Sequence, residues 1–173
     1  SGGGRGELDR RRSAVAFLHE THRVPVHRLC AHGDAPLEDG TLERRAAQAT
    51  DKLANCTLCP RRCAVDRTAG ETGICKTGLL AVVASHNAHF GEETPLVGRN
   101  GSGTIFFSHC NLLCIFCQNY EISHLGEGRE LNEKQLAAIM LELQRSGCHN
   151  INFVTPSHVV PQILAALLIA ARE

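Results

Sequence analysis

The cysteines constrain this chain most, because seven of its nine cysteines fall in two short clusters. The first cluster has the spacing C-x2-C-x3-C-x11-C and the second has C-x3-C-x2-C; their members are Cys56, Cys59, Cys63 and Cys75, then Cys110, Cys114 and Cys117. An odd number of cysteines at short spacings is not typical of a secreted disulfide framework. The pattern predicts reduced thiols that hold metal in a cytoplasmic protein.

The rest of the composition limits the partners that the chain can have. Its 173 residues, 43% of them apolar, are enough for the core of one domain. Lysine plus arginine and aspartate plus glutamate both number 18, so the basic excess of a nucleic-acid binder is missing. The longest apolar run, Ile163 to Ala171, is half of the ~18 residues that a membrane span needs. The composition therefore predicts neither a nucleic-acid partner nor a membrane partner.

Local patterns divide the chain into three parts. Residues 1–54 are expected to form an N-terminal tail with a helical extension, with helices at Leu8–Glu20 and Thr41–Ala54. Residues 55–100 form a cysteine-rich, metal-binding segment that ends with a short strand candidate and a glycine-rich loop. Residues 101–173 are regular and carry the second cysteine cluster.

The third part alternates strands with helices. Thr104–Ser108 is a short apolar strand, and Asn150–Val154 is a second one. Between them, Asn132 and Gln135 form a capping box at the start of an amphipathic helix. Ser157 is the expected N-cap of a last helix. This order indicates parallel strands with helical crossovers, which is the α/β class.

The second cluster has too few thiols to be a closed zinc site. Three thiolates on one loop do not complete a tetrahedral zinc site by themselves. They suit three corners of a [4Fe–4S] cluster whose fourth iron stays open to a small molecule. The alternative is that Cys110, Cys114 and Cys117 are three buried, inert thiols.

The first cluster has enough thiols for a closed site. Four thiolates that include a C-x2-C knuckle can hold zinc, or they can ligate a second iron–sulfur cluster. A redox-active C-x2-C pair is a further alternative, but it leaves Cys63 unexplained. The neighbouring arginines can offset thiolate charge or, as the favoured interpretation, form a solvated face; they are Arg61, Arg62 and Arg67.

Other titratable residues have less specific patterns. Two histidines and two carboxylates can bind metal or transfer protons, or they can be ordinary surface and core residues; they are His86, His89, Glu92 and Glu93. Cys30 and Cys148 stand alone, and each is expected to be a small buried hydrophobic residue.

Three blocks of the sequence, in order, resemble one known superfamily. The C-x3-C-x2-C cluster follows a strand and has an aromatic residue, Phe116, before its last cysteine, which resembles the radical S-adenosylmethionine (SAM) superfamily. The run NGSGTIFFSHCNLLCIFCQNYEIS is similar to the group related to pyruvate formate-lyase activating enzyme. The runs CTLCPRRCAVDRTAGETGICKTG and CHNINFVTPSHVVPQIL are similar to an uncharacterised branch of that group, which has an N-terminal cysteine cluster.

The resemblance implies a partial (β/α) barrel and an oxidoreductase. A [4Fe–4S] cluster would be held by Cys110, Cys114 and Cys117, and SAM would chelate its open iron. Reductive cleavage of SAM would give a 5′-deoxyadenosyl radical that abstracts a hydrogen atom. The implied partners are an electron donor such as flavodoxin or ferredoxin and a protein substrate, for example a glycyl-radical enzyme that would be activated.

The resemblance also assigns roles to two residues near the cluster. Phe116 would lie beside the adenine of SAM, with packing in the core as the alternative. Thr155 follows the second strand, where many members have Gly-Gly-Glu to hold the SAM amino group. Thr155 would therefore contact SAM, or it would shape the end of the strand.

The chain departs from the superfamily in two ways. His109 stands where members commonly have glycine before the first cysteine. Only 63 residues follow Cys110, and a βαβ unit takes ~30 residues or more, so only the first two βα units fit and the chain is expected to be truncated. The alternative function is a non-catalytic iron–sulfur or zinc-binding module. A zinc-ribbon nucleic-acid binder is a third interpretation, which the zero net charge disfavours.

Overall fold

The structure is a computed structural model that describes residues 35–173. The helix predicted at Leu8–Glu20 and the lone Cys30 lie outside the described residues. Within residues 35–173, every helix is too short or too polar to cross a bilayer.

The described part of the chain contains five α-helices and four β-strands. The helices are α1 (Ala35–Glu38), α2 (Thr41–Asp51), α3 (Thr94–Val97), α4 (Glu133–Arg145) and α5 (Val160–Ala170). The strands are β1 (Ala81–His89), β2 (Ser102–Phe107), β3 (Arg129–Leu131) and β4 (Ile151–Val154). A short 3-10 helix, Lys52–Asn55, continues α2, so the helix predicted to end at Ala54 changes its geometry after Asp51.

The four strands form one open, mixed sheet in the order β3-β1-β2-β4. β2 and β4 are parallel, and the connection between them includes α4, as a parallel pair requires. The predicted α/β class is therefore confirmed. β1 is antiparallel to both β2 and β3, and it lies within residues 55–100, so the cysteine-rich part shares its sheet with the third part.

The core lies where α4 packs on the sheet. Buried residues of α4, including Leu136 and Met140, join Ile105 and Phe107 of β2 in one hydrophobic cluster. The capping box predicted for α4 is present: the Gln135 amide donates to Asn132 Oδ1 at 2.9 Å, and the Asn132 amide donates to Gln135 Oε1 at 3.0 Å. α5 contacts both α4 and α2.

Ser157 does not cap the last helix, contrary to the sequence-based expectation. α5 begins at Val160, and its N-cap residue, Val159, makes no side-chain hydrogen bond to the helix. A turn closed by the Val159 amide and the Pro156 carbonyl, 2.9 Å apart, separates Ser157 from the helix. The Ser157 hydroxyl instead donates to Asn111 Oδ1 at 2.9 Å. The segment after β4 is thereby fixed to the segment after β2.

Candidate metal centre

The second cysteine cluster lies on the loop that follows β2. β2 ends at Phe107 and its parallel neighbour β4 ends at Val154, so both carboxyl ends meet at one edge of the sheet. The Thr155 hydroxyl donates to the Phe107 carbonyl at 3.0 Å and joins the two strand ends. Ligands of open α/β sheets bind at this kind of edge.

The loop, residues 110–117, is fixed at its beginning. The amides of His109 and Cys110 donate to the carbonyls of Ile122 and Ser123, both at 3.1 Å. His109 has a left-handed backbone with a φ of 60°, a conformation that glycine adopts without strain. His109, which replaces the glycine common in the superfamily that the sequence resembles, therefore keeps a glycine-like backbone.

The three thiols of the loop differ in their exposure. Cys110 is buried, Cys117 is half-buried and Cys114 is exposed. The alternative of three buried thiols is therefore wrong for Cys114. The three lie on a loop at the sheet edge and not inside the core.

Two hydrogen bonds reach the sulfur atoms of this loop. The Leu112 amide donates to Cys110 Sγ at 3.4 Å, and the Ser123 hydroxyl donates to Cys117 Sγ at 3.2 Å. Hydrogen bonds to cysteine sulfur are among the features that tune iron–sulfur clusters. The donor set, three sulfur atoms with hydrogen-bonded neighbours, therefore suits iron–sulfur chemistry.

The tip of the loop is apolar and exposed. Phe116 is 96% exposed and Ile115 is 88% exposed, so the alternative of core packing for Phe116 is wrong. Exposed apolar residues in a row are uncommon on a monomer surface. The ring of Phe116 is open to a planar ligand from the side of the loop.

The first cluster surrounds one small cavity. The cavity has a volume of about 10 Å³, and its lining includes all four thiols together with Arg67 and His158. Cys56 is held in place by its amide, which donates to the Val65 carbonyl, and by its carbonyl, which accepts from the Ala64 amide, both at 2.9 Å. The fold thus brings together the four cysteines that the spacing grouped.

No ready-made metal site exists in residues 35–173: no group of three or more histidine, cysteine, aspartate or glutamate side chains is arranged to hold a metal ion. The thiols of each cluster are neighbours, but their sulfur atoms have not converged on a common point. Both clusters thus have suitable donor chemistry, and metal binding at either requires movement of the side chains.

Arg67 is not on a solvated face, contrary to the favoured interpretation. Its side chain is 1% exposed. The buried guanidinium donates to the carbonyls of Gly78 and His158, both at 2.8 Å. Its Nη1 atom also lies 3.9 Å from Cys56 Sγ. Arg67 therefore faces a thiol of the first cluster, which was the alternative interpretation of the sequence.

Arg61 and Arg62 are exposed, as the sequence predicted. Arg61 also reaches the second cysteine loop, where its Nε and Nη2 atoms donate to the carbonyls of Asn111 and Leu112 at 3.0 and 3.2 Å. The Arg61 side chain therefore joins the segment of the first cluster to the loop of the second cluster.

His158 is a residue that no sequence pattern singled out. It is 1% exposed, and its Nε2 atom lies 2.8 Å from the Ser108 carbonyl, which fixes the ring proton on Nε2. Its Nδ1 atom has no hydrogen-bond partner. Burial is the main reason why the pKa of His158 is lowered to about 4. The one feature of the sequence that could have pointed to His158 is its position shortly after β4.

The histidines of β1 do not form a site together. His86 and His89 are three residues apart on a strand, where side chains alternate, so they lie on opposite faces of the sheet. His86 Nε2 is 3.6 Å from Glu142 Oε2 on α4. The alternative in which both histidines serve one metal or proton-transfer site is therefore wrong, and the interpretation as ordinary surface and core residues stands.

Cys148 behaves as the small buried residue that was predicted. It is 3% exposed, and its thiol donates to the Asn100 carbonyl at 3.7 Å. Burial raises the pKa of this thiol. Cys148 belongs to neither cluster.

Comparisons with known proteins identify an archaeal relative. No family model matches the chain, and no solved structure matches it. An uncharacterized protein of Methanocaldococcus jannaschii is 34% identical to it in a 120-residue alignment that covers 65% of this chain. The chain spans 34% of the length of that relative. The activity, substrates and partners of the whole protein are therefore proposals.

Proposed function

We propose that the loop 110–117 holds a [4Fe–4S] cluster with SAM on its open iron, in an oxidoreductase of the radical SAM kind. The observation that carries the proposal is three thiols on one loop at the carboxyl ends of two parallel strands, with hydrogen bonds to two of the sulfur atoms. When bound, this group supplies reductive cleavage of SAM to methionine and a 5′-deoxyadenosyl radical.

The residues of the loop have separate tasks in this proposal. Cys110, Cys114 and Cys117 hold the cluster, with Cys110 as the fixed end because its amide is bonded to the Ser123 carbonyl. Phe116 offers its exposed ring to the adenine. Thr155 stands next to the same edge, but its hydroxyl proton is engaged by backbone carbonyls, which supports a role in shaping the strand end.

The partners follow from the chemistry of the bound group. Reductive cleavage needs one electron, which we assign to a small donor such as flavodoxin or ferredoxin that approaches the exposed Cys114. The hydrogen-atom donor in this proposal is a protein substrate, in the narrower form a glycyl-radical enzyme. Free thiols and iron–sulfur clusters persist in reducing compartments, so the proposed location is the cytoplasm. The proposed fold of the whole protein is a partial (β/α) barrel.

The test is anaerobic reconstitution of the purified chain with iron and sulfide, followed by reduction and electron paramagnetic resonance with and without SAM. We expect a [4Fe–4S]⁺ signal that changes shape when SAM is added. Cys114→Ser should remove this signal, whereas Cys148→Ser, which changes a thiol outside both clusters, should keep it.

Each other outcome contradicts a defined part of the proposal. A cluster signal that ignores SAM would favour the non-catalytic iron–sulfur module. An unchanged signal in Cys114→Ser would exclude the loop 110–117 as the ligand set.

A further inference from the structure

The geometry points to a second and separate metal site, in which Cys56, Cys59, Cys63 and Cys75 hold one zinc ion and Arg67 balances its charge. This inference does not depend on the cluster proposed for loop 110–117. It selects a single divalent ion where the spacing alone left zinc and a second iron–sulfur cluster open.

The thiol set is the first argument for a single ion. All four thiols line one cavity, so the ligand set of a tetrahedral ion is complete without an outside ligand. Four thiolates with no open position are typical of structural zinc.

The backbone around the cavity is the second argument, because it presents the cysteines at tight turns. Ala64 and Lys76 directly follow Cys63 and Cys75, and their φ values are 57° and 52°. Left-handed residues of this kind reverse the chain within one or two residues. The Lys76 amide closes one of these turns by donating to the Gly73 carbonyl at 2.9 Å.

Gly73 also shapes the cavity, because it has no side chain that would collide with Cys63. A Cβ atom there would lie 2.7 Å from Cys63 Sγ, so only glycine leaves room for this thiol. The next amide, that of Ile74, donates to Cys63 Sγ at 3.5 Å. The turn is therefore shaped around a sulfur atom.

Charge is the third and independent argument. Zinc with four thiolates carries a net charge of −2, and a buried charge needs a partner. Arg67 is buried against this cavity with Nη1 3.9 Å from Cys56 Sγ, and its Nη2 atom has no hydrogen-bond partner. Among the described residues, no carboxylate lies within ion-pair distance of Arg67. A thiolate–zinc centre supplies the negative charge that this guanidinium lacks.

The test measures zinc per chain by mass spectrometry after the purified protein is loaded with zinc and dialysed. We expect one zinc per chain, its loss in Cys59→Ser and its retention in Cys114→Ser. This pair separates the inference from the proposed function, because Cys114→Ser removes only the loop cluster. Zinc that stays in Cys59→Ser, or iron and sulfide that occupy this site in place of zinc, would overturn the inference.

A second measurement needs no variant and so remains decisive if Cys59→Ser does not fold. Alkylation of the zinc-loaded wild-type chain should label Cys114 and spare all four upstream cysteines. Chelation of the zinc should then make those four reactive. If they react equally before and after chelation, they do not bind the metal.

The role of Arg67 has its own test. Arg67→Gln should weaken zinc affinity by about 10–100-fold, the usual effect of losing a partner of a metal ligand, whereas Arg67→Lys should recover part of it. Arg62→Gln is the matched control, because Arg62 is exposed and does not line the cavity. Equal affinities in Arg67→Gln and Arg62→Gln would remove Arg67 from the site.

Discussion

At the scale of single residues, His109 and Gly126 share one space beside the cysteine loop. The His109 ring lies where a Cβ atom of residue 126 would be, so the two side chains are mutually exclusive. Gly126 also has a left-handed φ of 77°. The sequence marked His109 as a departure from the superfamily that it resembles, but it gave no sign of this partner. The contact depends on a short π-helix, Glu121–Leu125, which ends at Gly126 and places it beside His109.

Gly126→Ala should therefore destabilise the protein by about 2–5 kcal/mol, the sum of a left-handed alanine and an overpacked contact. Gly70→Ala is the matched control, since Gly70 has a φ of 86° and open space around it, and it should lose only about 1–2 kcal/mol. Urea denaturation measures both. Equal losses in the two variants would contradict the predicted clash, and His109→Gly should relieve it.

Ser123 gives a second prediction at this scale. Its hydroxyl donates to Cys117 Sγ at 3.2 Å, and hydrogen bonds to sulfur raise the potential of an iron–sulfur cluster. Ser123→Ala should therefore give a more negative midpoint potential in a redox titration of the reconstituted chain. Ser146→Ala, on the far end of α4, serves as the control and should leave the potential unchanged. A shift of the same size in both variants would exclude a local effect.

At the scale of secondary-structure elements, local signals predicted some elements well and others poorly. α4 was predictable because its capping box and its apolar period lie within the helix itself. The apolar run of the sequence predicts a short strand at Leu79–Ala84, whereas β1 runs from Ala81 to His89. Its second half is a half-polar stretch that becomes a strand only by pairing with β2. Ser157 looked like a cap, but its partner, Asn111, is 46 residues away in the chain.

The segment between β4 and α5 should make stability depend on pH through His158. The pKa of His158 is about 4 in the folded chain and about 6.5 when unfolded, so the unfolded chain binds more protons between these values. The free energy of unfolding therefore has its full value above pH 6.5. It falls as the pH drops towards 4, by on the order of 1–3 kcal/mol.

The comparison variant for this effect is His158→Gln, which can keep a donor for the Ser108 carbonyl but does not titrate. Urea denaturation from pH 7 to 4.5, with reductant and chelator present, should show a shallower fall for His158→Gln. Parallel curves for the two proteins would contradict a buried neutral histidine.

At the scale of the whole molecule, distant contacts join the cysteine-rich part to the α/β part. Arg67 bonds the His158 carbonyl, and the Gln162 amide donates to the Leu79 carbonyl at 2.6 Å. Arg172 also pairs with Glu43 of α2, in the N-terminal part, at 3.2 Å. The cysteine spacings identified both thiol sets from sequence. The burial of Arg67 and the presence of His158 beside the thiols could not be predicted, because both come from contacts between residues far apart in the chain.

These contacts predict that the two parts unfold together. Cys56 and Cys148 are both buried, one in each part, so pulsed alkylation across a urea gradient should show both becoming reactive at one midpoint. In Arg67→Gln the Cys56 midpoint should move to lower urea than that of Cys148. Separate midpoints in the wild-type chain would mean that the parts are independent.

The bond between Arg67 and the His158 carbonyl spans 91 residues, and this distance sets an order of events during translation. The four upstream cysteines lie 83 (158 − 75) to 102 (158 − 56) residues before His158. At ~5–20 residues per second, they are synthesised about 4–20 seconds before it. Until then Arg67 lacks its anchor, and the nascent thiols are exposed to oxidants and to competing metals. Alkylation of ribosome-stalled chains, with His158 inside or outside the ribosome, should find these thiols reactive in the first and shielded in the second.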